Sequence, residues 1–181
     1  MALTEIAAGS AVFVDANVFL YHFAGRSDDC SSLLARVEAG EVLGFTGQVT
    51  VLEVMHRLMM LEAAERGLSL KPTPAARLAR EPRLVQQLSK YYFSALAIPK
   101  VGIQILPLPQ DFLTASQEFR QRYGLLANDS LVPMHMRQAG LSILASADAT
   151  FDRVPGIKRF APADIRVAPA ACATPLPAVR P

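Results

Sequence analysis

Short apolar runs closed by a polar residue alternate along this chain with longer segments whose apolar positions return every three or four residues. Ala11-Val12-Phe13-Val14, closed by Asp15, has the length and β-branched content of a fully buried strand over residues 11–15. Residues 16–24 and 28–39 read as helices parted by Gly25, with Ser27 or Asp28 as a cap and Gly40 as a stop. A second strand is expected from Val42 to Thr46. Between Gln48 and Glu65, Val49, Leu52, Met55, Met59 and Ala63 repeat at helical spacing, with Glu62 and Glu65 on the polar side and Gly67 as terminator.

The second half continues the alternation. Lys71-Pro72-Thr73-Pro74 reads as a turn or linker, and Pro82 to Ala97 as helical. Gly102 to Leu106 is the third strand and Asp111 to Tyr123 a helix ending at Gly124. Asn128 caps a further helix running to Ala139, in whose second turn Pro133 should remove a backbone donor and kink the chain. Leu141 to Ser146 and a short Ile157 to Phe160 complete about five strands. Strands alternating with helices predict an α/β sandwich with a mainly parallel central sheet flanked by helices. Beyond Asp164, Pro169, Pro175, Pro177 and Pro181 lie among Ala and Val without period. Residues 1–164 are therefore expected to form one domain and residues 165–181 a Pro/Ala-rich disordered tail.

At 181 residues, half of them hydrophobic, the chain suits one well-buried domain. Its apolar runs are broken well short of the ~18 residues of a membrane span. Glu5 and Asp15 interrupt the stretch where a signal peptide would carry its apolar core. Cys30 and Cys172 can build no disulfide framework and lack zinc-site spacing. No membrane association and a reduced, cytoplasmic setting are expected.

The carboxylates change the picture. Asp15, Glu53, Asp129 and Asp148 each stand at the end of an apolar run or within one. An isolated buried carboxylate costs several kcal/mol, so such groups need partners or a metal. Four that converge would make a hard, all-oxygen site suited to Mg²⁺ or Mn²⁺. Two of them also have an ordinary reading, Asp15 as a helix cap and Asp129 as favourable charge at a helix N-terminus, and the nearby Asp152 reads as a turn residue holding Arg153. Glu53 is harder to explain so, because Val51, Leu52, Val54 and Met55 surround it with apolar neighbours. Setting Asp15, Glu53, Asp129, Asp148 and Asp152 aside from the 16 acids leaves 11, against 18 Lys and Arg. An acidic pit in a basic surround suits an enzyme that holds and cuts a phosphate backbone.

VFVDANVFLYHF, TVLEVMHRL, LLANDSLVPMHM and ILASADATFDRVPGI, in that order, resemble the PIN domain, a family of metal-dependent ribonucleases, and within it the VapC-like toxins and their solitary relatives. The resemblance runs from about Val12 to Phe160 and implies a three-layer sandwich. It implies that Asp15, Glu53, Asp129 and Asp148 are the catalytic, metal-holding acids, with Asp152 a further candidate acting through water. Asn17, in the family's Asp-x-Asn/Ser/Thr element, and Ser146, in Ser-x-Asp-x-x-Phe-Asp, would support the site. The resemblance further implies products with a 5′-phosphate and a 3′-hydroxyl, a small antitoxin as partner, and a homodimer.

Residues 71–100 carry Lys71, Arg77, Arg80, Arg83, Lys90 and Lys100 against one acid, Glu81, with Tyr91, Tyr92 and Phe93 interleaved. They read equally as a solvated helix face or as an RNA-holding arm, with Arg77, Arg80, Arg83 and Lys90 on phosphates. Two rival functions are weighed against the nuclease. A phosphatase of the haloacid-dehalogenase type would need a second Asp where Asn17 stands. A non-catalytic protein-interaction or RNA-binding module of the same fold would have no need to keep all four acids.

Overall fold

The computed structural model describes residues 1–67 and 74–166. Lys71 and Cys172, and the tail beyond Arg166, lie outside the described residues. Five strands, β1 (Ala11–Val14), β2 (Leu43–Gly47), β3 (Gln104–Leu106), β4 (Ile143–Ala145) and β5 (Lys158–Phe160), form one sheet in the order β3-β2-β1-β4-β5. Every pairing is parallel, with Phe13 opposite Phe45 on one side and Leu144 on the other. β1 is central, so Val12, Phe13 and Val14 are wholly buried, which is why this strand reads as an unbroken apolar run.

Strand alternation then divides the core. Val12 and Val14 join the cluster covered by α1 (Ala16–Phe23), α2 (Asp28–Glu38), α3 (Gln48–Glu65) and α6 (Lys90–Lys100). Phe13 and Leu144 face the opposite layer, built from α7 (Phe112–Tyr123) and α8 (Leu131–Gln138). The expected α/β sandwich is present. Gly44 in β2 has a packing role, since a Cβ there would stand 2.9 Å from Cγ1 of Val37 in α2.

Several local expectations need correction. The basic segment contains α4 (Pro74–Arg80), and the helix expected from Pro82 to Ala97 is two helices, α5 (Pro82–Gln86) and α6. Leu78 and Leu88 seat the segment against Ala63 of α3. In α3, Leu52 is 58% exposed, whereas Val54, Leu58 and Glu62 are buried. The helix expected from Asn128 begins only at Leu131. Pro133 is therefore its third residue, where a backbone N–H would have no acceptor within the helix and nothing is lost by lacking one.

Glu62 departs furthest from expectation. It is 3% exposed, and its Oε1 accepts from Ser89 N at 3.1 Å while Oε2 accepts from Tyr91 N at 3.0 Å. Ser89 makes no side-chain cap of its own, so a carboxylate from α3 caps α6. Burial pushes the Glu62 carboxyl up, but the amides of Tyr91, Ser89 and Lys90 and the Arg66 guanidinium outweigh it and hold the carboxyl below its ordinary range.

Contacts with the body of the fold continue past Asp164. Arg166 N donates to Arg26 O at 2.8 Å, and the Arg166 guanidinium pairs with Asp28. Asp164 itself caps α2, its Oδ1 accepting from Ser27 Oγ at 2.5 Å and its Oδ2 from Asp28 N at 2.6 Å. Among the described residues, no helix is long and apolar enough to cross a membrane.

Candidate active site

In a parallel sheet whose helices follow the strands, functional groups collect at the carboxyl ends, where chain direction changes from strand to helix. Asp15 stands at the end of the central strand and caps α1, its Oδ1 accepting from Ala16 N at 2.7 Å. Its Oδ2 accepts from Asn17 Nδ2 at 2.5 Å and from Ser146 Oγ at 2.7 Å. Ser146 follows β4 and is wholly buried. Its Oγ also accepts from Asp148 N at 3.0 Å, and Asn17 Oδ1 accepts from Ala147 N at 3.0 Å. Asn17 and Ser146 thus stitch the end of β1 to the loop carrying Asp148. Asp148 caps the 3-10 turn Ala149–Arg153, accepting from Thr150 N at 2.8 Å, and the buried Thr150 Oγ1 has no partner among the described residues.

Electrostatics ties the remaining acids to this centre. Burial raises the Asp15 carboxyl to about 6 against the pull of its Ser146 and Ala16 hydrogen bonds, and the negative charges of Glu53 and Asp129 push the same way. Asp129 is raised by burial and then by the charges of Asp148 and Glu53. Glu53 lies in α3, half-buried, with one oxygen 2.9 Å from Arg57 Nη2. These couplings link all four expected acids. Among the described residues, however, no group of three or more His, Cys, Asp or Glu side chains is drawn together tightly enough to hold a metal ion.

Asp152 stands apart. It lies at the surface, and Arg159, not Arg153, takes its carboxylate through two bonds of 2.7 and 2.8 Å. Arg159 Nη1 also donates to Ser146 O at 3.1 Å, so one guanidinium grips both ends of the loop that carries Asp148. The three histidines lie apart from the acids' hydrogen bonds. His22 meets Ser31, His56 is exposed, and the buried His135 stacks on Phe13, its Nε2 unpartnered among the described residues. Of the basic residues, Arg77 pairs with Glu81 at 3.3 Å and Lys90 with Glu65 at 3.0 Å, while Arg80 and Arg83 are exposed. Sequence reasoning missed Arg159, and it left Arg57 without a role although its four-residue spacing from Glu53 is the sign of a helical ion pair.

Residues 12–157 match the PIN domain family. The chain belongs to that family. It is 25% identical over 143 residues to Ribonuclease VapC2 of Methanocaldococcus jannaschii, an alignment covering 79% of this chain and 88% of that protein. Its fold is similar to a crystal structure of VapBC2 from Rickettsia felis bound to a DNA fragment from their promoter. That match has a TM-score of 0.52 and 15% identity, and covers 83% of this chain and 98% of that one. A toxin–antitoxin complex from Klebsiella pneumoniae is likewise similar, with a TM-score of 0.53, 19% identity, and 81% and 95% coverage.

Proposed function

We propose that this protein is a metal-dependent endoribonuclease, cleaving RNA phosphodiester bonds as the cytoplasmic toxin of a toxin–antitoxin pair. One observation carries the reading. Asp15, at the end of the central strand, is raised to about 6 by its burial and by the neighbouring charges of Glu53 and Asp129. A buried carboxylate that also feels the charges of two others disfavours its own ionisation, and a cation would relieve that cost. The donor set is wholly carboxylate oxygen, which fits Mg²⁺ or Mn²⁺. Asp15, Glu53, Asp129 and Asp148 would hold the ion, with Asp152 an outlying donor through water.

When bound, such an ion supplies Lewis-acid polarisation of the phosphoryl group and makes a nearby water more acidic. The chain's own residues prepare the site for it. Asn17 and Ser146 fix the Asp15 carboxylate in direction. Arg57 holds Glu53 in place, and Arg159 holds the loop of Asp148. Membership of the PIN family, the name of the Methanocaldococcus relative, and the toxin–antitoxin context of the similar structures support the reading. A small antitoxin protein and a second copy of the chain are the partners it calls for.

The test is cleavage of single-stranded RNA by the purified chain. Mg²⁺ or Mn²⁺ should sustain it, and excess chelator or Asp129→Asn should abolish it while the chain stays folded. Undiminished cleavage under either condition would defeat the proposal.

A further inference from the structure

A groove of about 650 Å³ opens beside the acid centre, between α1, α3 and the segment ending at Arg166. Its inner end is shared with the site. Asn17, which lines it, donates to Asp15, and Arg57, which also lines it, pairs with Glu53. Arg26 and Arg166 line it further out, so three guanidiniums face one acid, Glu65, which Lys90 already engages at 3.0 Å. Arg26 lies 5.4 Å above the Tyr21 ring and, among the described residues, has no carboxylate within ion-pair distance. The Arg166 pair with Asp28 is exposed on both sides and so exchanges readily. Leu20 and the 41%-exposed Leu61 add apolar wall. Arginines over an apolar, partly aromatic wall match a nucleotide, with phosphates for the cations and a base for the wall. Sites of roughly 300–1,000 Å³ commonly hold ligands of that size.

We infer that this groove seats the nucleotide adjoining the cleaved phosphodiester. Arg26, Arg57 and Arg166 take its flanking phosphates, and its base lies against Leu20, Leu61 and the Tyr21–Arg26 pair. The inference rests on the ribonuclease reading and deepens it. The entry to the active centre is then this groove, and the basic segment of α4 to α6 is at most its continuation.

The experiment measures anisotropy of a short fluorescein-labelled single-stranded RNA with the full chain, in an Asp129→Asn background with Mg²⁺, at two salt concentrations. Arg26→Gln with Arg166→Gln should weaken binding and reduce the log–log salt slope by about 1.4, at ~0.7 per phosphate no longer neutralised. Leu61 is exposed, so its replacement spares folding. Leu61→Glu should weaken binding about tenfold or more by placing like charge in the path, and Leu61→Arg should tighten it. Leu43→Glu, at the opposite end of the sheet, should change nothing. Wild-type affinity and slope in the Leu61→Glu protein and in the double Gln protein, with melting temperatures preserved, would overturn the groove while leaving the nuclease intact. A parent chain that neither binds nor cuts RNA with either metal would overturn both.

Discussion

Ser146 Oγ donates to the Asp15 carboxylate at 2.7 Å, although the two residues stand 131 positions apart. With Asn17 on the same oxygen and Ala16 on the other, Asp15 is well supplied with donors, each of which favours its charged form. Its carboxyl nonetheless rises to about 6. Burial, helped by the charges of Glu53 and Asp129, outweighs the donors.

The pH dependence follows from the sign of that shift. A carboxyl raised from 3.8 to about 6 binds its proton more tightly in the folded chain than in the unfolded one. Stability in chelator should therefore fall as pH climbs from about 4 through 6, by roughly 3 kcal/mol from this group at ~1.4 kcal/mol per pH unit. Asp129 is shifted in the same direction and adds to the fall. Urea denaturation at pH 5 and pH 8 should show it, Asp15→Asn should flatten it, and Mg²⁺ should restore stability at pH 8 by binding the folded state. A stability that rises between those pH values would contradict the assignment.

Glu62 predicts the opposite slope in a different range. Its carboxyl is depressed, so its contribution is present above its unfolded value of 4.5 and is lost as pH falls through the lower folded value. Glu62→Ala strips the amides of Ser89 and Tyr91 of their acceptor and should cost about 2–4 kcal/mol, Glu62→Gln about half as much. Amide hydrogen exchange at Ser89 and Tyr91 should accelerate in both proteins before global unfolding. Unchanged exchange would show that α6 is capped by other means.

The difference between what could be read in the sequence and what could not is visible within α3. Strands β1 and β4 were legible because a strand covered on both faces must be continuously apolar, and the place of Asp15 at the end of β1 was legible because it closes such a run. In α3 apolar residues surround nearly the whole helix, so periodicity could not choose a face. It pointed to Leu52, which is exposed, over Leu58, which is buried. Glu62 looked like surface charge because its partners lie 27 and 29 residues further along the chain. The grip of Arg159 on Asp152 and Ser146 is of the same kind: nothing local announces it.

Neutralising Arg77, Arg80, Arg83 and Lys90 together tests the basic segment. If these residues hold RNA phosphates, the log–log salt slope of binding should flatten by about 0.7 for each phosphate released, while the bound strand is still cut at a similar rate. Arg80 and Arg83, outside the ion pairs that occupy Arg77 and Lys90, should account for most of the change. A stable quadruple Ala variant with the parental slope would confine the RNA path to the other side of α3.

Asp164 ties the chain after β5 to the start of α2. Asp164→Ala removes the acceptor for Ser27 Oγ and for the amides of Asp28 and Asp29, and should cost about 1–2 kcal/mol. A chain ended after Arg166 should melt within a degree or two of the parent, and one ended before Asp164 well below it. A large drop on removing only residues 167–181 would show that they bear on the fold.

The strand order also has a meaning in time. The central strand is synthesised first, but its neighbours on the two sides come from residues 43–47 and 143–145, and Ser146 N closes onto Phe160 O only after β5 exists. On the ribonuclease reading, a chain grown only as far as β3 has Asp15 without Asp129 and Asp148 and cannot assemble the acid centre. On that reading the acid centre closes late in synthesis, and a partner translated alongside would have most of that interval in which to be ready.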